Sequence, residues 1–314
     1  MKSMTRKLLL SVIAVVLAVV ALGTTTFAWF TITNVANVQP FQAQVISDEG
    51  IEIAIGNGDP MNLTWKTTLT TQDIYNYIAS AYTEGFYFNH LTSTDGRNFN
   101  TLGTTGPGVG STDGLLVLPL HFRSDSTSKI EWTQVQLTGT TASFTTRVGF
   151  TDSKGVTRAA NSTFNVNPAD AIRVSISGMI YNEVTETSSL TTVAYENPET
   201  ETNTVLNEAI FPDFRGAQED VLGVPTYIGV DGAVNYFYRS NAILPGGADS
   251  VSVVPTIQSV SSVRILDMTA GSIATAEREY YGTVTLRVWF EGWDAEAYNS
   301  LLGRTISLSL RFQG

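Results

Sequence analysis

The sequence predicts an all-β protein: an antiparallel, jelly-roll-like sandwich with two short helices and long loop insertions, preceded by an N-terminal hydrophobic signal or anchor helix. Three observations predict it. Several segments alternate apolar and polar residues with period two, most clearly Ile306, Leu308, Leu310 and Phe312 against Thr305, Ser307, Ser309 and Arg311. Charged residues make up only 15% of the chain, and Thr, Ser, Asn, Gln and Gly take their place, a mixture that favours strands and turns. Gly-containing turns separate the apolar runs, as antiparallel strands in a sandwich require.

Taken in order, the elements begin with Leu8 to Leu22, LLLSVIAVVLAVVAL, which follows Lys2, Arg6 and Lys7 and precedes Gly23-Thr24-Thr25-Thr26-Phe27-Ala28. A basic start, an apolar middle and a small-residue exit make a signal peptide, with the cut between Ala28 and Trp29. An uncleaved anchor over residues 8–32 is the alternative, because a span needs about 20 apolar residues. Either way the basic residues stay inside and the body lies outside. Three segments follow: the signal at 1–28, an N-terminal strand at 29–46 and a β-sandwich domain at 47–314.

Within the body, Ile51 to Ile55, Leu115 to Phe122, Ile130 to Leu137 and Phe144 to Phe150 read as strands, the last closed by the turn Asp152-Ser153-Lys154-Gly155. Ile172, Val174 and Ile176 alternate with Arg173, Ser175 and Ser177; Val284, Leu286, Val288 and Phe290 alternate with Thr283, Thr285, Arg287 and Trp289. One helix is expected over Thr70 to Thr83, capped by Thr70 and stopped by Gly85. A second is expected from Asp294 to Leu302, ended by Gly303. Asn89 to Gly114 and the acidic, Thr-rich Glu183 to Thr204 read as long loops. One elaborated domain is the simplest reading, with Asn207 to Gly223 as the alternative boundary.

The net charge of −11 excludes some partners. No acid occurs before Asp48, so the body is more acidic than the whole chain and should repel nucleic acid and anionic surfaces. With 0 cysteines there is no disulfide, zinc–thiolate site or cysteine nucleophile. An exported chain without disulfides fits a bacterial surface better than a eukaryotic secretory route.

Catalytic signals are sparse. His90 and His121 are the only histidines and lack ligand spacing. Asp95, Asp113 and Asp152 occur singly in Gly turns, where local backbone donors explain them better than calcium does. Val288 to Glu296 sets Trp289 and Trp293 among Glu291, Asp294 and Glu296, which invites comparison with a glycosidase cleft. The structural reading is stronger: Asp294 as a helix cap, Glu296 against its dipole, and the tryptophans covering a sheet edge or sandwich end. No nucleophile elbow, phosphate loop or dinucleotide fingerprint is present, and no enzyme activity, cofactor or metal is expected. Leu244-Pro245-Gly246-Gly247 is internal and is not a wall-sorting signal.

Gly23 to Phe30 resembles the export signals cut by the SipW-type signal peptidase of Gram-positive bacteria. Trp289 to Asp294, with Leu301-Leu302-Gly303 and a last strand, is similar to the terminus of surface proteins that carry such signals, and Asp170 to Ser175 to an internal strand of theirs. The chain thus resembles the TasA- and camelysin-like surface and biofilm-matrix proteins over its two ends and one middle strand. An acid shortly after the cut, frequent in that family, is missing from Trp29-Phe30-Thr31-Ile32. The resemblance implies a jelly-roll fold and a secreted fibre subunit whose partners are signal peptidase and further copies of itself.

The residues support such a mechanism. Trp29 to Ile46 contains no charge, and Phe41, Ala43 and Val45 alternate with Gln42 and Gln44. Together with Phe30, Ile32, Val35 and Val38 they form a candidate donor strand that adds to the open edge of the next subunit. Its roughly 18 residues reach about 60 Å when extended. Pairing within its own sheet is the competing expectation. The competing function is a monomeric, membrane-tethered or secreted adhesin-like module whose long loops contact a glycan or protein.

Overall fold

The computed structural model describes residues 42–47, 50–102, 110–198, 218–219, 225–226, 232–241, 253–271, 279–298 and 304–314. The signal or anchor segment, the cut between Ala28 and Trp29, and donor residues Phe30, Ile32, Val35, Val38 and Phe41 lie outside these residues. Among the described residues no helix is long and apolar enough to cross a membrane.

The fold is mostly β. It opens with β1 (Gln42–Ser47), β2 (Ile51–Ile55) and β3 (Thr68–Leu69), followed by helix α1 (Thr71–Ala81). Helix α1 starts where its sequence directs: Thr70 Oγ1 accepts from the Asp73 N–H, and the Asp73 carboxylate accepts from the Thr70 N–H. Ile74 is its buried anchor. A meander of β4 (His90–Thr92), β5 (Phe99–Thr101) and β6 (Gly110–Ser111) lies within the expected loop 89–114. Long strands β7 (Leu116–Ser124) and β8 (Lys129–Gly139) come next.

Short strands follow: β9 (Ala142–Thr145), β10 (Phe150–Thr151), β11 (Thr157–Arg158) and β12 (Thr163–Val166). They pair as β9–β12 and β10–β11, and Gly155 N–H closes the expected turn onto Asp152 O. Then come β13 (Ile172–Asn182) and β14 (Thr187–Tyr195), the small ribbon β15 (Gln218–Glu219) and β16 (Pro225–Thr226), and helix α2 (Ala233–Asn241). The chain closes with β17 (Thr256–Ile257), β18 (Val263–Asp267), β19 (Thr269–Ala270), β20 (Tyr280–Glu291) and β21 (Ile306–Gln313).

Two main sheets result. One has the order β18-β8-β21-β1-β3; in the other β17-β14-β13-β20-β4-β5-β6 is extended by β7, β2 and β19. A hydrophobic core joins them: Leu118, Leu120, Phe122, Val174, Ile176, Val284 and Leu286 from the larger sheet meet Trp132, Leu308, Leu310 and Phe312 from the smaller. Phe122 and Phe312 pack edge-to-face at 5.2 Å. The inward residues of β20 and β21 are those their alternation predicts.

Three expectations need correction. The sheets are mixed, because β1–β21, β14–β17 and β4–β20 pair in parallel. Among the described residues the second helix is α2 at 233–241; residues 294–298 are not helical, so Asp294 caps no helix and Glu296 meets no helix dipole there. Asp294 Oδ1 accepts from the Glu296 N–H in a local Asx turn, while Oδ2 is engaged across the strand pair by Arg173 at 2.5 Å. Finally, the segment read as the loop 183–204 contains β14, which runs antiparallel to β13 from Thr187 to Tyr195. Its threonines suit an exposed strand, whose partner lies outside any local sequence window.

Candidate functional site

Of the candidate donor segment 29–46, residues Gln42 to Ile46 are described; with Ser47 they form β1, which pairs within its own chain. One edge runs parallel to β21, from Gln42 beside Ser307 to Ser47 beside Phe312. The other meets β3 antiparallel at Val45–Leu69 and Ile46–Thr68. Ala43 stands beside Leu308 and Val45 beside Leu310, and both leucines are buried. Helix α1 packs across β1, β2 and β3. An open groove of about 490 Å3 lies between α1 and β2–β3, edged by Lys66, Asp73 and Tyr77. Without β1, β21 would present a row of unpaired backbone groups beside buried Leu69.

The Trp–carboxylate segment lies on the opposite, outer face of the larger sheet, and it is closed. Glu291 is 1% exposed and Asp294 0%. Arg173, 2% exposed, reaches Glu196 and Asp294 with one nitrogen, each at 2.5 Å. The second oxygen of Glu196 accepts from Gln258 Nε2 at 3.2 Å. Glu291 accepts from the Trp289 indole at 3.1 Å and from the Trp293 N–H at 3.2 Å. Burial pushes the Glu291 carboxyl up to about 7, even though Trp289 and Arg173 oppose the shift. Burial likewise raises Asp294 to about 6 against the attraction of Arg173. The meander forms the lid: Phe99 packs edge-to-face on Trp289 at 5.1 Å, and Ser175 Oγ donates to Gly96 O at 2.7 Å. Gly96 has φ +69, and a Cβ there would press on Ser175 and Thr192 at 3.1 Å.

The other single candidates are satisfied locally. Asp95 accepts from the N–H groups of Arg97 and Asn98, and Asp152 from those of Lys154 and Val156. Among the described residues no group of three or more His, Cys, Asp and Glu side chains is arranged to hold a metal ion. His121 Nε2 faces Gly56 O at 2.8 Å. A carbonyl only accepts, so Nε2 carries the proton and Nδ1 accepts from Tyr281 Oη at 2.7 Å. Burial holds this imidazole below its ordinary pKa. His90 is held down to about 4 by the same cause.

Sequence reasoning missed a third region. Phe144, Phe150, Phe164, Tyr236 and Tyr298 form an aromatic cluster, with Phe144 4.6 Å from Tyr298 and 5.0 Å from Tyr236. Gly232 (φ +79) lets α2 approach the segment after β20, since a Cβ there would lie 2.2 Å from Ala295 O. The cluster borders a polar cavity of about 250 Å3 that includes Glu296 and Tyr298. Its residues come from five separate segments, and only the aromatic content of each was visible beforehand. Compared with known proteins, the chain matches no family model, no curated protein and no solved structure.

Proposed function

We propose that the chain is an exported, non-catalytic structural protein that self-assembles at the cell surface or in the extracellular matrix, with its N-terminal segment exchanged between copies as a donor strand. One observation carries this reading. Strand β1 is paired on both edges, by β21 and β3, while only residues 48–50 separate it from β2. Such an element satisfies the same slot whether it comes from its own chain or from the next, and the charge-free stretch before it supplies the reach. Exchange from copy to copy in one direction does not close, so it builds a filament. A jelly-roll path for the two sheets belongs to the same proposal. So do export and cleavage after Ala28 by a signal peptidase, with membrane attachment through residues 8–32 where the segment is retained.

The test is the intact mass of protein recovered from its native surface, with negative-stain imaging of the same material. Filaments together with a mass beginning at Trp29 support exchange. Deleting Trp29 to Ile46 should abolish them, and adding that segment back as a peptide should restore a folded, capped monomer. Dispersed particles at every concentration, with Met1 to Ala28 retained, would overturn it.

A further inference from the structure

The cavity beside the aromatic cluster holds an unusual group. Tyr298 is 3% exposed, yet its hydroxyl has no hydrogen-bond partner. Leaving a buried hydroxyl unsatisfied costs about 1–3 kcal/mol, so native proteins rarely do it without cause. The ring cannot turn away: Phe144 packs on it at 4.6 Å, and Phe164 meets it edge-on at 5.5 Å. Its hydroxyl stays protonated, because burial and the nearby Glu296 and Asp152 carboxylates hold the phenol well above its ordinary range. It can therefore donate as well as accept.

The walls complete a mixed set of donors and acceptors. Glu296, 5% exposed, lines the cavity beside Tyr298. Asp152 is fixed by Arg158 Nε at 2.7 Å and by two backbone N–H groups. The Arg158 guanidinium lies over Phe164 at 4.7 Å, so its position is fixed as well. Asn167 Oδ1 is engaged by the Ala169 N–H, which orients its amide along the rim.

These features select a ligand class. An anion would face Asp152, Asp170 and Glu296. A metal ion lacks a set of three ligating side chains among the described residues, and an organic cation would face Lys154 and Arg158. Neutral vicinal hydroxyls suit both sides: they donate to carboxylates and accept from Arg158 and the phenol. The volume of about 250 Å3 lies just under the range for drug-sized ligands, roughly 300–1,000 Å3, and fits one small ring.

We propose that this cavity binds a single neutral pyranose, the terminal sugar of a glycan, anchored by the Tyr298 hydroxyl and the Glu296 carboxylate. The inference goes beyond strand exchange and does not rest on it, since neither β1 nor β21 contributes to the cavity.

The test titrates the full chain with methyl α-glucopyranoside, methyl α-mannopyranoside, methyl β-galactopyranoside and N-acetylglucosamine, followed by calorimetry and NMR. At least one should bind saturably with a Kd of about 1 mM. Tyr298→Phe should weaken that sugar by about tenfold or more. It should also leave the melting temperature unchanged or raised, because it deletes an unsatisfied hydroxyl. Glu296→Gln should weaken the same sugar again. No saturable binding of any of the four up to about 50 mM would overturn the proposal. So would unchanged binding in Tyr298→Phe accompanied by a lower melting temperature, or binding of methylammonium chloride in place of the sugars.

Discussion

The two faces of the β13–β20 pair are equally dry, but they are dry for different reasons. On the inner face Val174, Ile176, Leu286 and Val288 are at most 1% exposed and meet the second sheet through hydrocarbon alone. On the outer face Arg173, Ser175, Trp289 and Glu291 are also at most 2% exposed, yet they are covered by the meander and by the turns after β20. The inner face gains by removing apolar surface from water. The outer face has had to satisfy each polar group it buries, through the Arg173–Glu196–Asp294 cluster, the Ser175–Gly96 bond and the Trp289–Glu291 bond. Burial is therefore one observable with two energetic origins: the first is sensitive to change of shape, the second to change of charge.

The contrast can be broken most sharply at Arg173. Arg173→Met should cost about 3–5 kcal/mol at neutral pH in a urea titration, because it strands two buried carboxylates. Adding Glu196→Gln and Asp294→Asn should recover most of that loss, and failure to recover it would mean the cluster does not act as a unit. On the inner face, Leu286→Ala should cost about 2–5 kcal/mol whatever the pH, since it leaves only a cavity. The smallest effect is the slope with pH. Glu291 and Asp294 have folded-state values raised to about 7 and about 6, so the folded protein holds their protons more tightly than the unfolded chain does. Their contribution is greatest below about pH 4 and is lost as the pH rises to about 7, with a slope of up to about 1.4 kcal/mol per unit for each group. Glu291→Gln should flatten its share of that fall between pH 4 and 8, whereas Leu286→Ala should leave the slope intact.

The same contrast explains what could be read in the sequence. Period-two alternation found the inward residues of β20 and β21, and a cap with an acid three residues on found α1. Those are local signals. The outer face showed only as the polar half of an alternation at Arg173, Ser175 and Ser177, because alternation reports chemistry and says nothing of what folds across it. The lid comes from residues 89–102, which touch β13 only through tertiary structure. Asp294 looked like a helix cap because Asp before a short apolar run usually is one; its partner Arg173 lies across a strand pair. β14 was hidden for a like reason, since an exposed Thr-rich strand carries no apolar stripe. Of the candidate donor segment, the alternation at 42–45 was legible, but alternation could not say which strand it would join. The Tyr298 cavity was invisible: Asp152, Arg158, Phe164, Glu296 and Tyr298 meet only in three dimensions.

The parallel pairing of β1 with β21 also sets a timetable. Gln42 finds Ser307 only after nearly the whole chain has been made, so this ladder carries one of the largest loop-closure costs in the molecule. The hairpins β13–β14 and β9–β12 close over short stretches and are free to form early. The slot for β1 in the smaller sheet thus stays open until β21 is in place. Loss of β21 would remove the seat of β1 as well, and so would leave β8 and β3 each with an unpaired edge.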